Sequence, residues 1–378
     1  MQRGDDTVPK DATLVYVGTY TGAKSRGIYL FRLQPEPDAV SQNVTLAPLG
    51  LAAASSNPSF LELDATRRLL FAVNEDDRFE GNATGAVSAF AIDRSTGTLT
   101  RINQRPSMGT SPCHLVLDRT RRHLLVANYG SGSVAVLPVA ADGRLGAASQ
   151  VVQHTGHSVN PERQQGPHAH CVTIDRANRF VFVCDLGLDQ VLVYRFDAQR
   201  GTLTPHDAPF AALKPGAGPR HMVFRPDGRF AFVINELHST VTAFSYDAGA
   251  GALHEVQTIS TLPEHVDGAN SGAEIDVHPS GRWLYASNRG HNSVVLFAID
   301  ADSGALAYVE EQGTGGFTPR HFGLDPTGTY LAVGNQNSDT ILMTRVDAGR
   351  GRLKPSGVLS YAPAPVCMKF LPPSEHAK

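Results

Sequence analysis

One short motif recurs along this chain, and its spacing constrains the fold more than any other feature. The segments 112–118 (PCHLVLD), 219–225 (PRHMVFR) and 319–325 (PRHFGLD) align without gaps. Further copies begin at residues 58, 169, 272 and 365, so seven copies recur every 46 to 57 residues. A period of this length is typical of propellers and solenoids, which escape the size limit of one ordinary hydrophobic core. The repeat therefore predicts one domain.

Each copy has the pattern of four short strands. The motif itself is a first strand, and a turn such as PDGR (226–229) leads to an apolar second strand that ends in Asn or Asp. A β-branched and aromatic third strand such as TVTAFSYD (240–247) precedes a DxxxGxL turn and a fourth strand. We expect an all-β, seven-bladed β-propeller with four antiparallel strands per blade.

The two ends of the chain predict how the ring closes. The last copy starts at residue 365 and lacks room for three further strands, whereas 13–20 (TLVYVGTY) and 27–33 (GIYLFRL) have the pattern of second and third strands. The termini should therefore share one blade, which leaves no unpaired terminal blade. We expect a polar extension over 1–12, a propeller over 13–372 and a tail over 373–378.

The charge and the apolar content of the chain limit the kinds of binding partner that it can have. The 33 basic and 36 acidic residues are mixed along the chain, which argues against a nucleic-acid or membrane surface. No apolar run approaches the roughly 20 residues that cross a bilayer. We expect a cytoplasmic protein, or a periplasmic one if an export signal has been removed, and a monomer or weak oligomer. The cysteines lack metal or disulfide spacing and are predicted to be buried free thiols.

Strand connectivity places two repeat positions on one face. The first strand crosses the blade and the second returns, so the start of one and the end of the other lie together. The polar residue that ends the second strand recurs at one offset and predicts a structural role common to the blades: Asn74, Asn128, Asp185, Asn235, Asn288 and Asn335.

The residues that follow these positions should form the rim of one channel mouth. Those after the first-strand starts are Ser59, Cys113, His170, Arg220, Ala273, Arg320 and Val366. Those after the Asn or Asp positions are Glu75, Tyr129, Leu186, Glu236, Arg289 and Gln336. The opposite face receives interchangeable turns. We therefore predict the functional site at this mouth, with the long connection 154–170 as a candidate lid.

The next residue of the first strands is often a histidine or an acid: His114, His221, Glu274 and His321. Imidazole and carboxylate could bind a metal in the channel. We favour packing between blades, with hydrogen bonds to neighbouring strands, and expect no metal and no other cofactor.

Several segments together resemble a known family. They include 160–170 (NPERQQGPHAH), 218–237 (GPRHMVFRPDGRFAFVINEL) and 273–290 (AEIDVHPSGRWLYASNRG). The chain resembles, over residues 14–372, the seven-bladed propeller lactonases, which include propeller-type 6-phosphogluconolactonases and fungal 3-carboxy-cis,cis-muconate lactonizing enzymes. The resemblance implies a small anionic lactone as substrate.

The resemblance also implies catalytic residues, all of which belong to the predicted rim: His170, Arg220, Glu236 and Arg289. His168 lies in the same motif as His170 and is an alternative to it. The candidates for substrate binding are Arg320, Arg163, His168, Glu75 and Gln336.

These residues suggest a reaction without a covalent intermediate. The chain has no GxSxG motif and no cysteine nucleophile signature, which favours direct attack by water. Glu236 or His170 would act as base and the other as acid, while arginines stabilise an oxyanion or hold an anionic group. We expect hydrolysis of 6-phosphogluconolactone. The alternatives are a muconate-type lactonizing enzyme and a non-catalytic propeller that binds a ligand or protein.

Overall fold

The computed structural model describes Pro9 and residues 12–35 and 44–373, and within them the chain forms seven four-stranded antiparallel sheets. Apart from one 3₁₀ turn at Gln336–Ser338, the regular elements of this part are strands. In chain order the strands are β1 (Leu14–Thr19), β2 (Gly27–Pro35), β3 (Val44–Ala54), β4 (Leu61–Asp64), β5 (Leu69–Asn74), β6 (Ala86–Ile92), β7 (Leu99–Pro106), β8 (Pro112–Leu117), β9 (His123–Asn128), β10 (Ser133–Pro138), β11 (Gln150–Gln153), β12 (Ala169–Ile174), β13 (Phe180–Asp185), β14 (Gln190–Asp197), β15 (Thr202–Ala212), β16 (Pro219–Phe224), β17 (Phe230–Asn235), β18 (Thr240–Asp247), β19 (Ala252–Ser260), β20 (Ser271–Val277), β21 (Trp283–Arg289), β22 (Ser293–Ile299), β23 (Leu306–Gly313), β24 (Pro319–Leu324), β25 (Tyr330–Asn335), β26 (Thr340–Val346), β27 (Leu353–Tyr361) and β28 (Pro365–Leu371).

Each sheet is one blade of a propeller. Blades 1 to 6 take four consecutive strands each, beginning at β4, β8, β12, β16, β20 and β24, and blade 7 has the order β28-β1-β2-β3. In blade 7, Leu14 pairs with Leu371 and Val17 with Met368, so the two ends of the chain close the ring. The all-β propeller and its shared closing blade are confirmed. The predicted extension and tail lie, but for Pro9, Ala12 and Pro373, outside the described residues.

The core lies between the blades. Apolar side chains from consecutive sheets form clusters, with Phe182 and Phe232 almost fully buried. The DxxxGxL turns help to close these layers. At Gly251 the backbone φ is 69°, and an added Cβ would lie 2.6 Å from the ring of Phe180 in the preceding blade, so only glycine fits there without strain. The close packing of this turn against the preceding blade therefore explains why its glycine recurs.

The first strands line the channel, and each contacts the first strands of its neighbours. Their starts match the sequence repeat to within one residue except in blade 1, where regular pairing begins only at Leu61. The four cysteines are free and buried, as expected. In the described part of the chain, no helix is long and apolar enough to cross a membrane.

The recurring Asn or Asp at the end of the second strand connects neighbouring blades. Asn128 donates from Nδ2 to the carbonyl of Ser107 at 3.0 Å, and Asn335 does the same to Thr314 at 3.0 Å. Ser107 and Thr314 each follow the fourth strand of the preceding blade. We call this contact the inter-blade staple. The predicted structural role is confirmed for Asn74, Asn128, Asn288 and Asn335.

Candidate active site

β-Bulges at the starts of the first strands form the rim. In blade 4, Pro219 pairs with Asn235 and His221 with Ile234, which leaves Arg220 as an extra, unpaired residue. Blades 3 and 6 repeat this irregularity at His170 and Arg320. A bulge bends the strand and redirects the side chain of the extra residue. In each of these blades the repeat therefore turns one residue out of the regular strand alternation at this mouth.

Glu236 is the centre of the candidate active site. One carboxylate oxygen, Oε1, accepts from Arg163 Nη2 at 2.8 Å. The other, Oε2, lies 2.7 Å from Arg289 Nη2 and 3.2 Å from Arg220 Nε. Arg220 and Glu236 come from adjacent strands of one blade, Arg289 comes from the next blade, and Arg163 from the long connection. Four separate segments of the chain therefore meet on one carboxylate.

These contacts fix the charge of Glu236. Burial alone would raise its pKa, but the guanidinium groups of Arg289, Arg220 and Arg163 outweigh burial and lower the pKa of Glu236 to about 2. Burial, together with Arg289 and Arg320, lowers the pKa of Arg220 to about 10. Both groups are thus charged at neutral pH, and Glu236 holds no proton that it could donate to a leaving group.

Hydrogen bonds to residues of the channel hold the guanidinium of Arg220 in position. Its Nη1 donates to the carbonyl of Ala273 at 2.6 Å and lies 3.3 Å from Nε2 of His221. Nδ1 of His221 is in turn 2.9 Å from Oε1 of Glu274. Because Glu274 accepts the Nδ1 proton, Nε2 of His221 is left as an acceptor for Arg220. The row Glu274, His221 and Arg220 therefore holds the guanidinium against Glu236.

His170 lies on the bulge of the neighbouring blade, close to the arginines. Its ring meets those of Tyr129 and His221 edge-on, with centroids 5.5 and 5.2 Å apart. Burial, followed by the positive charge of Arg220, holds the pKa of His170 well below its ordinary value. His170 is thus a neutral imidazole at physiological pH. The thiol of Cys113 lies 3.8 Å from its Nδ1, and burial raises the pKa of this thiol well above the ordinary range, which keeps it protonated.

His168 occupies the outer side of the same cluster. Its ring stacks on Tyr129 with centroids 4.5 Å apart, and its Nδ1 donates to the Tyr129 carbonyl at 3.0 Å. The Tyr129 hydroxyl accepts from Arg163 at 3.1 Å. His168 therefore packs beside Tyr129 and Arg163, whereas the charges of Arg220, Arg320 and Arg289 act on His170.

The connection 154–170 is firmly anchored. Asp189 accepts hydrogen bonds from Ser158 Oγ at 2.5 Å and from Gln164 Nε2 at 2.8 Å. Asn160 Oδ1 accepts from the backbone N–H of Arg163 at 3.0 Å, which fixes the short turn that carries this arginine. The candidate lid is therefore a hydrogen-bonded platform that brings Arg163 to Glu236. With its side chain 40% exposed, Arg163 is the most accessible of the three arginines at that carboxylate.

Arg320 forms a second cationic position on the rim. Its guanidinium lies 5.4 Å above the ring of Tyr20, whose hydroxyl donates to Glu75 at 2.9 Å. Burial would lower the pKa of Arg320, but Tyr20, Glu75 and Glu236 together raise it, so the charge is permanent. Within the described residues, no hydrogen bond or ion pair engages its N–H groups. Arg320 is therefore free to bind an anion.

The charges of the rim do not balance. Four guanidinium groups (Arg163, Arg220, Arg289 and Arg320) accompany two carboxylates (Glu75 and Glu236), which leaves two positive charges. In addition, the Nε of Arg289 is buried without a hydrogen-bond partner among the described residues, and the Nε of Arg220 has only its 3.2 Å ion-pair contact with Glu236. Unpaired buried donors are costly unless a ligand or water satisfies them. The arrangement suits a small anion.

Comparison with known proteins agrees with this geometry. Residues 14–370 match the family model "Lactonase, 7-bladed beta-propeller". The chain belongs to the seven-bladed β-propeller lactonase family. The 6-phosphogluconolactonase of Bacillus subtilis is 36% identical over 94% of this chain and 97% of its own length. That of Formosa agariphila is 32% identical over 82% of this chain and 86% of its own. The periplasmic gluconolactonase of Pseudomonas aeruginosa has a TM-score of 0.88 and 35% identity, with 96% and 99% of the two chains covered.

In the structure of this lactonase, most of the predicted site residues lie in contact with one another. Arg163, Arg220, Arg289 and Glu236 are in direct contact, and Glu75 joins Arg320 through Tyr20. Gln336 lies in the 3₁₀ turn after β25, and its side chain makes no hydrogen bond or ion pair with the other site residues in the described ranges. Tyr20 was missed by the sequence reasoning, since it lies beyond β1 of the closing blade, where the repeat lacks the Asn or Asp marker.

The channel histidines of the lactonase act as predicted between blades. The backbone N–H of Val172 donates to Nδ1 of His114 at 3.4 Å, and that of Met368 donates to Nδ1 of His321 at 3.3 Å. In both contacts, Nδ1 of the histidine connects two neighbouring first strands. In the part of the chain that is described, no group of three or more His, Cys, Asp or Glu side chains is placed to hold a metal ion.

Proposed function

We propose that this protein hydrolyses 6-phosphogluconolactone to 6-phosphogluconate at the Glu236 mouth. The observation that carries the proposal is the excess of two positive charges on the rim, together with the unpaired guanidinium of Arg320. A phosphate monoester bears roughly −1.5 to −2 charges at pH 7, which complements this excess. The names of the relatives in Bacillus and Formosa support the same substrate.

The arginines have two tasks in this proposal. Arg320, which forms no ion pair with a carboxylate of the described residues, binds the phosphate through its forked donors. Arg220 and Arg289 stabilise the oxyanion that develops on the lactone carbonyl as water adds, and the buried Nε–H of Arg289 has no partner within the described residues. Glu236 keeps these two guanidinium groups in place and remains ionised, because its pKa of about 2 lies far below neutrality.

His170 moves the proton. As water attacks the lactone carbonyl carbon, the new C–O bond forms and His170 takes the water proton. The C–O bond to the ring oxygen then breaks, and the same imidazolium gives its proton to the alkoxide that leaves. The product is an open-chain hydroxy acid whose carboxyl group ionises in solvent. One neutral histidine thus performs both steps, in place of the acid and base pair expected from the sequence.

The test compares two neighbouring histidines. His170→Ala should lower kcat by about 10²–10⁴-fold on 6-phosphogluconolactone, the usual range for loss of a general base. His168→Ala, which removes a ring stacked on Tyr129, should change kcat by less than about tenfold. The readout is acid release in weakly buffered solution, corrected for spontaneous hydrolysis of the lactone.

Other results would refute specific parts of the proposed mechanism and substrate. Full activity in His170→Ala with loss in His168→Ala would transfer the role to His168. A panel with phosphorylated, unphosphorylated and carboxylated lactones should show the highest kcat/KM for the phosphorylated one. Preference for a muconate-type lactone would indicate the lactonizing branch, and no turnover across the panel would indicate a non-catalytic propeller.

We also propose a cytoplasmic location and a monomeric or weakly associating state. The four buried free thiols support a reducing compartment. Pairing of both chain ends within one ring supports a self-contained monomer. The Pseudomonas gluconolactonase is described as periplasmic, so cell fractionation with an antibody decides between the two compartments. Sedimentation velocity over a hundredfold concentration range tests the association state.

A further inference from the structure

The junction of blades 3 and 4 lacks the inter-blade staple. In blades 1, 2, 5 and 6 the Asn at the end of the second strand reaches the backbone just beyond the preceding blade. In blade 3 the carboxylate of Asp185 bonds instead to His154, which follows the fourth strand of blade 2. In blade 4 the equivalent partner of Asn235 would be Leu213, and no such bond forms. Asn235 donates instead to Thr240 and Thr242 in its own sheet, at 3.0 and 2.9 Å.

A cavity of about 260 Å³ opens at this junction of blades 3 and 4, and its walls are Lys214, Ala217, Asn235, His238, Thr240, Thr242 and Thr258. The volume corresponds to about eight or nine water molecules at liquid density. Asn235 is only 1% exposed, and its Oδ1, like those of Asn128 and Asn335, has no hydrogen-bond partner within the described ranges; of these three, only Asn235 lines this cavity. We call this cavity the Asn235 pocket.

The floor of the Asn235 pocket offers one acceptor beside one donor. Thr242 and Thr258 share a hydrogen bond at 2.9 Å, and Thr258 donates to Glu255 at 2.9 Å, so their protons are used. Thr240 accepts from Asn235, and among the described residues its own hydroxyl proton has no acceptor. A hydroxyl group both donates and accepts, so it can satisfy Asn235 Oδ1 and Thr240 together.

The entrance of the pocket is cationic. Lys214 is exposed and makes no ion pair in the described part of the chain, and no carboxylate is among the residues that line the pocket. A ligand that reaches from floor to entrance would therefore carry a hydroxyl group at one end and an anionic group at the other. The volume is smaller than typical drug-sized pockets of roughly 300–1,000 Å³ and suits a short chain.

We propose that the Asn235 pocket is a second binding site, separate from the Glu236 mouth, for a small hydroxylated organic anion of the aldonic-acid class. The ligand's hydroxyl group bonds to Asn235 Oδ1 and Thr240, and its carboxylate lies beside Lys214.

The pocket is connected to the catalytic mouth by backbone. Glu236 donates its N–H to the Gly218 carbonyl at 2.7 Å, and His238 donates to Ala217 at 3.3 Å. Ala217 and His238 both line the pocket. An occupant thus touches the segment that carries Glu236. If the proposed function holds, the occupant resembles the product of the reaction, and binding would change KM.

The test is equilibrium dialysis with ¹⁴C-labelled gluconate. The wild-type protein should bind two equivalents, one in the mouth and one in the pocket. Lys214→Ala and Thr240→Val should each weaken one equivalent by at least about tenfold, since each removes a charge or a hydrogen bond in a confined site. The matched control is Thr340→Val, because Thr340 accepts from Asn335 in blade 6 as Thr240 does in blade 4, but Asn335 also forms the staple.

The outcomes separate the pocket from the mouth. Arg220→Ala should weaken only the other equivalent, so failure of the proposed mouth leaves the results for Lys214 and Thr240 unchanged. Wild-type binding in both Lys214→Ala and Thr240→Val would overturn the proposal, as would an equal loss in Thr340→Val. Competition by uncharged sorbitol equal to that by unlabelled gluconate would also overturn it. A thermal melt checks folding, and the exposed Lys214 variant remains informative if Thr240→Val is unstable.

Discussion

Adjacent residues on the same first strands form two different environments. The bulged residues, such as Arg220 and Arg320, give the mouth its permanent positive charges. The residues that follow them, His221 and His321, face a channel chamber of about 280 Å³ that also contains Glu274. Burial holds the pKa of His221 well below its ordinary value and lowers that of His321 to about 3, so these rings add no positive charge.

This difference shows how adjacent positions of one repeat can have separate roles, one in substrate binding and the other in packing between blades. A bulge moves a side chain to the mouth, whereas the next position returns to the regular strand and packs between blades. The mouth therefore attracts anions, while the chamber combines neutral histidines with two acids, Glu274 and Asp276, and one cation, Lys369. An anionic substrate is expected to bind at the mouth and not to enter the channel.

The largest expected effect comes from removing a mouth arginine. Arg220→Ala should lower kcat/KM on 6-phosphogluconolactone by about 10³-fold, because it removes an oxyanion donor and frees Glu236 from one of its partners. Arg229→Ala, in a turn of the opposite face, is the matched control and should stay within about twofold. Equal losses in both variants would show that general stability, and not the mouth, accounts for the effect.

Arg320 distinguishes binding of the phosphate from catalysis. Arg320→Ala should raise KM for 6-phosphogluconolactone by about 10–100-fold with kcat nearly unchanged, because a single charge-assisted contact contributes roughly 1.5–3 kcal/mol. KM for unphosphorylated gluconolactone should change by less than about threefold. A loss of the same size on both lactones would assign Arg320 to the lactone ring and remove the main support for a phosphate site.

Sequence reasoning predicted the fold almost completely, for a physical reason. Each blade repeats the same strands and turns, so the weak strand and turn patterns of seven copies together predict one fold. The partial blades at the two termini complete each other. The rim also followed from connectivity. The Asn positions of four blades were correctly assigned a structural role, because a residue that recurs at one offset can make the same contact between blades each time.

Contacts between rim residues could not be predicted in the same way. That Glu236 would meet Arg163 depends on the fold of the connection 154–170, which is not repeated elsewhere. The missing staple at Asn235 could not be predicted, because the acceptor of the other staples is a backbone carbonyl, which residues of every type carry. The acid and base assignment also required the charges around Glu236, which only the three-dimensional arrangement reveals.

A smaller effect is expected where the two environments meet. Glu274→Ala should lower kcat by about tenfold, because His221 would lose the acceptor that orients it toward Arg220. Glu274→Gln retains an oxygen for His221 and should restore most of the activity. A purely structural role would instead lower the melting temperature of Glu274→Ala with kcat unchanged. Recovery of kcat in the glutamine variant therefore tests positioning specifically.

The smallest effect concerns stability of the chamber. Burial, followed by the charge of Glu274, raises the pKa of Asp276 from 3.8 to about 7. The folded protein thus keeps this proton to higher pH than the unfolded chain, and the contribution of Asp276 to stability falls as pH rises from about 4 to 7. Asp276→Asn removes that loss. Its melting temperature relative to wild type should therefore increase between pH 5 and pH 8, by roughly a few degrees.

The matched control for Asp276 is Asp142→Asn, in an exposed turn, which should shift the melting curve equally at both pH values. Activity of Asp276→Asn on 6-phosphogluconolactone should match wild type, because the chamber makes no contact with the substrate in the proposed mechanism. A pH-independent gain would show that Asp276 is ionised throughout this range and that the chamber tolerates its charge. A loss of activity would show that the chamber and the mouth are not separate, which would break the division of the channel drawn from adjacent strand positions.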